Sequence, residues 1–251
     1  MESELITTAK DPADIPIISS SLKFAWDTTW QRFFSLLAVM LVVTGVPMAI
    51  TFRMDDWLRV VIVQVYGSFL LGGMWLMFIS VAEGSRFRFQ TLFSRPLQFW
   101  KFIVVNILNY VIVIAGLILL VVPGVMWAVQ FGVVQQVLAD ENVGPIEAFK
   151  RSSQLTKGHR MKLFVWFLAC LAIIFVASLV AGIAAAPFSL MAKTFDVDFK
   201  DAIKITVTLM MMPLMAFFYL AWSHVYFQLH EASEARTTRE AQPTQHTDEQ
   251  P

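Results

Sequence analysis

The apolar residues of this chain are gathered into stretches of about twenty, and that clustering constrains the fold more than any other feature. Six such runs can be read: 33–52, 60–82, 102–122, 125–138, 163–190 and 205–229. A helix rises about 1.5 Å per residue, so roughly 20 residues cross a hydrocarbon core about 30 Å thick. Only 15% of the 251 residues are charged, against about 25% in ordinary soluble domains. Too little polar surface exists to coat a water-soluble bundle of such helices. The reading is an all-α, polytopic transmembrane helical bundle of about six membrane segments. Cytoplasmic amphipathic lead-in helices precede its apolar pairs.

Charge orients the bundle. Five cations, Arg53, Arg59, Lys193, Lys200 and Lys204, fall in the segments on one side, and the other fourteen of the 19 fall on the opposite side. Cytoplasmic loops carry the excess of Lys and Arg, so both termini are expected in the cytoplasm of a bacterial inner membrane. The start, "MESELITTAKDPADIP", lacks the basic region of a signal peptide, and the first apolar run is expected to stay. Three parts follow: a cytoplasmic segment 1–30 with an interfacial helix at 18–30, a transmembrane domain 31–230, and a polar tail 231–251 expected to be disordered.

The fourth run is the weak one. Fourteen residues of helix cover only about 21 Å, and the run holds Gln130, Gln135 and Gln136. Two arrangements fit: six full spans, or a hairpin over 102–138 that re-enters from the cytoplasm. Pro123 and Gly124 are read as a helix break between the third and fourth runs, and Pro213 as a break in the sixth.

The loops repeat a pattern. In 18–30, Ile18, Leu22, Ala25 and Trp26 share a helical face. "RFRFQTLFSRPLQFW" mixes arginines with phenylalanines, and 145–157 is again amphipathic. In that third loop Pro145 suits a first helical position, Glu147 the first turn, and Gly158 a left-handed end. Lys150, Arg151 and Lys157 share a face opposite Ala148, Phe149, Ser152 and Leu155. With Arg160 and Lys162 they are candidate anionic-lipid contacts, each worth about 1 kcal/mol near an anionic surface. The plainer alternative is that all five only determine topology.

Few residues offer chemistry. Asn106 and Asn109 in the third run, Gln130, Gln135 and Gln136 in the fourth, and His224 in the sixth are the intramembrane polar groups. Amides in a membrane need partners, and interhelical hydrogen bonds would supply them; a polar substrate path is the functional alternative. His224 is read as an interfacial or helix-bonding histidine, with proton sensing as the alternative. Ser178, Gly182 and Ala186 form a small-residue seam that permits close helix approach. Cys170 stands alone, and no phosphate loop or nucleophile–base pair is visible. No enzyme activity, metal or other cofactor is expected.

The stretch from Leu120 to Leu171 resembles a known pattern: a Pro-Gly break at Pro123-Gly124, a helix with a polar end, an acidic turn, then Ala148, Phe149, Lys150, Ser152, Leu155, Thr156, Lys157 and Gly158. It is similar to uncharacterised multi-pass proteins related to the membrane domain fused to some bacterial glycerophosphodiester phosphodiesterases. The family's Tyr-Tyr-Asp-Leu-Arg-like ending stands here as Tyr226, Phe227, Gln228, Leu229 and His230, without its acid and base. The resemblance implies an integral inner-membrane protein. Two functions follow as expectations: a non-enzymatic lipid-interacting or scaffolding module, or a small transporter or permease subunit. Membrane lipids are the expected partners, with a membrane-protein partner or a second copy of the chain beside them, and no nucleic acid.

Overall fold

A computed structural model describes residues 17–51, 54, 56–94, 98–119, 121–192 and 199–241. Residues 1–16 of the N-terminal segment, residues 242–251 of the tail and residues 193–198 lie outside the described residues. The described chain is all-helical: α1 (Ile17–Gln31), α2 (Phe33–Met40), α3 (Val46–Thr51), α4 (Asp56–Ala82), α5 (Phe99–Leu119), α6 (Val121–Gln130), α7 (Val134–Glu141), α8 (Pro145–Leu155), α9 (Arg160–Ala192) and α10 (Phe199–Ala241). Five stretches are long and apolar enough to cross a membrane: Phe33–Ile50, Trp57–Ala82, Phe99–Gly116, Arg160–Ala185 and Ile205–Thr238. This is the architecture of a multi-pass membrane protein.

The fourth apolar run is built differently from the others. It is not one helix but α6 and α7, separated by a turn at residues 131–133. Together they retrace α5 antiparallel along its whole length. A Cβ on Gly116 would lie 2.6 Å from the Gly124 Cα, so the two backbones touch at the far end. Midway, the Gln135 side chain reaches Asn106 at 2.7 Å. At the near end the Lys101 ammonium donates to the Asn142 side chain at 3.2 Å and to the Val143 carbonyl at 3.3 Å. The 21 residues of α5 rise about 31 Å, and the α6–α7 pair returns from the same depth.

Two expected breaks need correction. Pro123 and Gly124 do not interrupt a helix: α5 ends at Leu119 and α6 begins at Val121, so Pro123 is the third residue of α6. Its missing N–H is one of the four that a helix start leaves unpaired anyway. Pro213 does not break the sixth segment, since α10 runs through it unbroken; packing neighbours let membrane helices tolerate proline. The tail also differs, because α10 continues to Ala241 and residues 231–241 are helical rather than disordered.

A break that composition does not announce lies in the first span. Leu41–Gly45 forms a π-helical turn between α2 and α3. Pro47, four residues after Val43, removes the N–H that would pair the Val43 carbonyl, and the wider turn absorbs the misfit. The Tyr66 hydroxyl donates to the neighbouring Val42 carbonyl at 2.9 Å.

α10 is the central post, packed against α9, α1, α4 and α2. Around it Phe78 stacks on Tyr219 with centroids 5.7 Å apart, and Trp75 meets the same ring edge-on at 5.2 Å. Buried Leu70, Met74 and Met77 of α4, Phe102 and Val105 of α5, and Leu220 and Val225 of α10 fill the interior. The outer helices do the opposite: Phe175 and Ile183 of α9 are 71% and 68% exposed, and Ile118 of α5 is 79% exposed. Apolar faces turned outward on this scale suit lipid tails. Ser178 and Gly182 lie on that outward face, and nothing stands within 4 Å of where a Gly182 Cβ would be. Among the described residues, Ser178 and Gly182 of the small-residue seam therefore pack against no helix of this bundle.

Candidate functional site

Polar and charged side chains converge at one end of the bundle. That end gathers α1, the C-terminus of α4, the start of α5, α7, α8 and the last turns of α10. α7 ends at Glu141 with Asn142 in the left-handed conformation at φ 52°, which asparagine tolerates better than most residues. The turn aims Asp140 and Glu141 at α8 and α10. Tyr226, 1% exposed, donates its hydroxyl to Asp140 Oδ2 at 2.8 Å. Arg151 Nε lies 3.2 Å from both oxygens of Glu141. His230 stands 4.0 Å from Glu141 and 3.8 Å from Glu234. Glu83, closing α4, faces the same group: its carboxyl is pushed above the ordinary value by burial and then by the Asp140 charge, with His230 opposing.

The five candidate lipid-contact cations stand in different surroundings. α8 starts at Pro145, with Glu147 in its first turn, and the chain turns at Gly158 with φ 90°. Ala148, Phe149, Ser152 and Leu155 are its buried face. Lys150 and Lys157 project outward and exposed. Arg151 is committed to Glu141. Arg160 and Lys162 are half-buried at the start of α9, and the buried Arg160 Nε has no hydrogen-bond partner.

The intramembrane amides are largely spent on one another. Trp75 Nε1 donates to Gln135 Oε1 at 3.0 Å, and Gln135 Nε2 donates to Asn106 Oδ1 at 2.7 Å, so α4, α7 and α5 are tied in one chain of bonds. Gln130 Nε2 donates to Ser153 Oγ at 2.7 Å. Gln136 is fully buried; with its amide turned to satisfy both ends, it donates to the Val133 carbonyl and accepts from Trp222 Nε1 at 2.7 Å. The Asn109 Oδ1 is buried with no partner.

The turn between α6 and α7 exposes carbonyls that no helix satisfies, and other helices cap them. Ser152 Oγ donates to the Gln130 carbonyl at 2.9 Å, and the Thr156 hydroxyl lies 3.3 Å from the same oxygen. Trp222 Nε1 also lies 3.0 Å from the Gly132 carbonyl. α8 is thus a plug over a helix break.

His224 ties α1 to α10. Its Nδ1 is 3.1 Å from Ser21 Oγ, and its ring stacks on Phe24 with centroids 4.5 Å apart. Gln228 adds a bond to Ser20 at 2.8 Å. The packed face of α1 is Ile17, Ser21, Ala25 and Thr28, while Trp26 is 58% exposed. The expected face is therefore turned: small Ser21 approaches the post, and the bulky indole points out.

Sequence reasoning missed Asp140, Glu141, Tyr226, Trp75, Ser152 and Thr156 as a set. The acidic pair after an apolar helix was the available signal for the first two; the capping role of the hydroxyls had none. Among the described residues no three His, Cys, Asp or Glu side chains gather as a metal site.

No curated protein and no solved structure matches the chain. A family model described as a domain of unknown function (DUF7847) matches residues 5–230, from before α1 to the polar end of α10. The chain belongs to that family.

Proposed function

We propose that this protein is a lipid-interacting or scaffolding module of a bacterial cytoplasmic membrane, without enzymatic activity, with both termini in the cytoplasm. One observation carries the reading: most of the amides that would line a polar path instead bond to side chains of neighbouring helices. Gln135 is spent on Trp75 and Asn106, and Gln130 on Ser153. Large side chains fill the space between those helices. A conduit needs polar groups facing water, and these face protein. Exposed Trp26, Trp30, Lys150 and Lys157 at the polar end suit a headgroup layer. The resemblance to phosphodiesterase-associated membrane domains belongs to the same proposal.

Orientation is tested with Trp57→Cys, at the exposed start of α4, in a Cys170→Ala background. Labelling by an impermeant thiol reagent from outside intact cells is the expected result; labelling only from the cytoplasmic face overturns the orientation. Native mass spectrometry of the purified chain should show retained phospholipid. Gradient-driven solute uptake by vesicles containing the protein, abolished by Asn106→Leu, would overturn the module reading in favour of a transporter.

A further inference from the structure

The segment after α4 does not leave the bundle directly. α4 ends in a closed C-terminal motif: Gly84 takes φ 81°, its N–H donates to the Val81 carbonyl at 3.1 Å, and the Ser85 N–H donates to the Ser80 carbonyl at 2.9 Å. The chain then folds back along α4. A Cβ on Gly73 would lie 2.0 Å from the Leu92 carbonyl oxygen, so the short helical turn Phe89–Phe93 rests directly on the α4 backbone. Gly73 is nine residues before the end of α4, about 14 Å inward. The returning loop draws its arginines below the helix end.

A half-open pocket of about 430 Å³ results, lined by Met77, Ser80, Ser85, Arg86, Arg88 and Thr91. Among the described residues no carboxylate lines it. Glu83, the nearest acid in the chain, faces Asp140 and His230 instead. Ser80 Oγ is spent on the Leu76 carbonyl at 2.8 Å. The Arg86 and Arg88 guanidinia and the Ser85 and Thr91 hydroxyls have no side-chain partner among the described residues. On the same loop Phe89 and Phe93 are 41% and 50% exposed, with ring centroids 6.2 Å apart.

We propose that this pocket binds a phosphate group, presented by an anionic membrane phospholipid whose acyl chains lie along Phe89 and Phe93. Two planar guanidinia and two free hydroxyls match the oxygens of a phosphate. The exposed rings give a reason for the phosphate to arrive on a lipid rather than from solution. The proposal rests on the lipid-interacting reading above but names a site that reading does not require.

The test is lipid retention by the full-length protein in detergent, titrated with phosphatidylglycerol and read by native mass spectrometry. The wild type should hold phosphatidylglycerol, and Arg86→Gln with Arg88→Gln should weaken that binding at least about tenfold. A charge-matched control, Lys23→Gln with Arg236→Gln, should leave it unchanged. Gly73→Ala keeps every charge but forces the loop off α4, and it should weaken binding too; circular dichroism confirms that each variant is folded. Equal loss in the control pair, or no loss in the arginine pair while lipid is still retained, overturns the pocket. Absence of retained lipid on the wild type overturns both the pocket and the wider reading. Saturation by inorganic phosphate, with no further binding of lipid, overturns the lipid source.

Discussion

Replacing the two hydroxyls that cap the α6–α7 break should cost much more together than apart. Ser152 and Thr156 are fully buried, so water cannot substitute for either. The Thr156 hydroxyl has one proton and three nearby acceptors: the Ser152 carbonyl at 3.0 Å, and the Ser153 and Gln130 carbonyls at 3.3 Å. In the wild type Ser152 holds the Gln130 carbonyl at 2.9 Å. In Ser152→Ala the Thr156 hydroxyl can swing to that oxygen, and the loss should be about 0.6 kcal/mol, the usual worth of a membrane-protein hydrogen bond. Thr156→Val leaves Ser152 in place and should cost a similar amount. The double variant strands a buried carbonyl, at about 1–3 kcal/mol for the unpaired group alone. Its total should therefore exceed the sum of the singles by about 1 kcal/mol or more. Unfolding in mixed micelles titrated with SDS, followed by tryptophan fluorescence, measures all three. Additivity within about 0.5 kcal/mol, the range for independent sites, would refute the claim that the two hydroxyls share one acceptor.

Three other outcomes follow from the same packing. Gly116→Val should cost about 1–3 kcal/mol, because its Cβ position lies 2.6 Å from backbone and 2.8 Å from the Trp127 ring; Gly182→Ala, in open space, should be neutral or gain up to about 1 kcal/mol in the same unfolding assay. Tyr226→Phe should cost about 1–3 kcal/mol by leaving Asp140 without its buried donor, and an unchanged midpoint would show that water replaces the hydroxyl. Glu83, raised by burial and by Asp140, keeps its proton in the folded state at pH values where the unfolded chain has lost it. Stability attributable to it thus falls as pH rises from the ordinary glutamate value through the raised one. Glu83→Gln should accordingly stabilise the protein at neutral pH, by less than about 1 kcal/mol for so exposed a group, and the gain should vanish in acid; a gain that persists unchanged in acid contradicts this.

Element type and number were legible where lipid contact sets the composition. α4, α5 and α9 turn apolar faces outward, and their apolar runs match their helices to within four residues at every end. The ends of α8 were legible too, since Pro145, Glu147 and Gly158 each have a local conformational role. Partnership was not legible. Arg151 reads as one of five equivalent cations, and only the fold sets it on Glu141. Gln135 reads as a bonded amide, but its bond to Trp75, 60 residues away, is a fact of tertiary packing. Pro213 misled because a proline's cost depends on what surrounds it, and α10 is held on several sides.

The α6–α7 return shows how so short and polar an apolar run can lie along a long apolar helix. Hydropathy measures the demand of lipid, and α7 scarcely meets lipid. Val134, Gln136, Val137, Leu138 and Ala139 are buried, against α4, α5 and α8. A helix enclosed by protein can afford polar residues wherever a neighbour supplies their partners. Gln135 and Gln136 are then no sign that the helix has left the membrane, because Trp75, Asn106 and Trp222 meet them. The same enclosure explains the turn at residues 131–133: its carbonyls would be prohibitive in hydrocarbon, and they persist because α8 and Trp222 reach them. Removing that enclosure, rather than adding hydrophobicity, is therefore what should unseat this passage, and the paired loss of Ser152 and Thr156 is the smallest such removal.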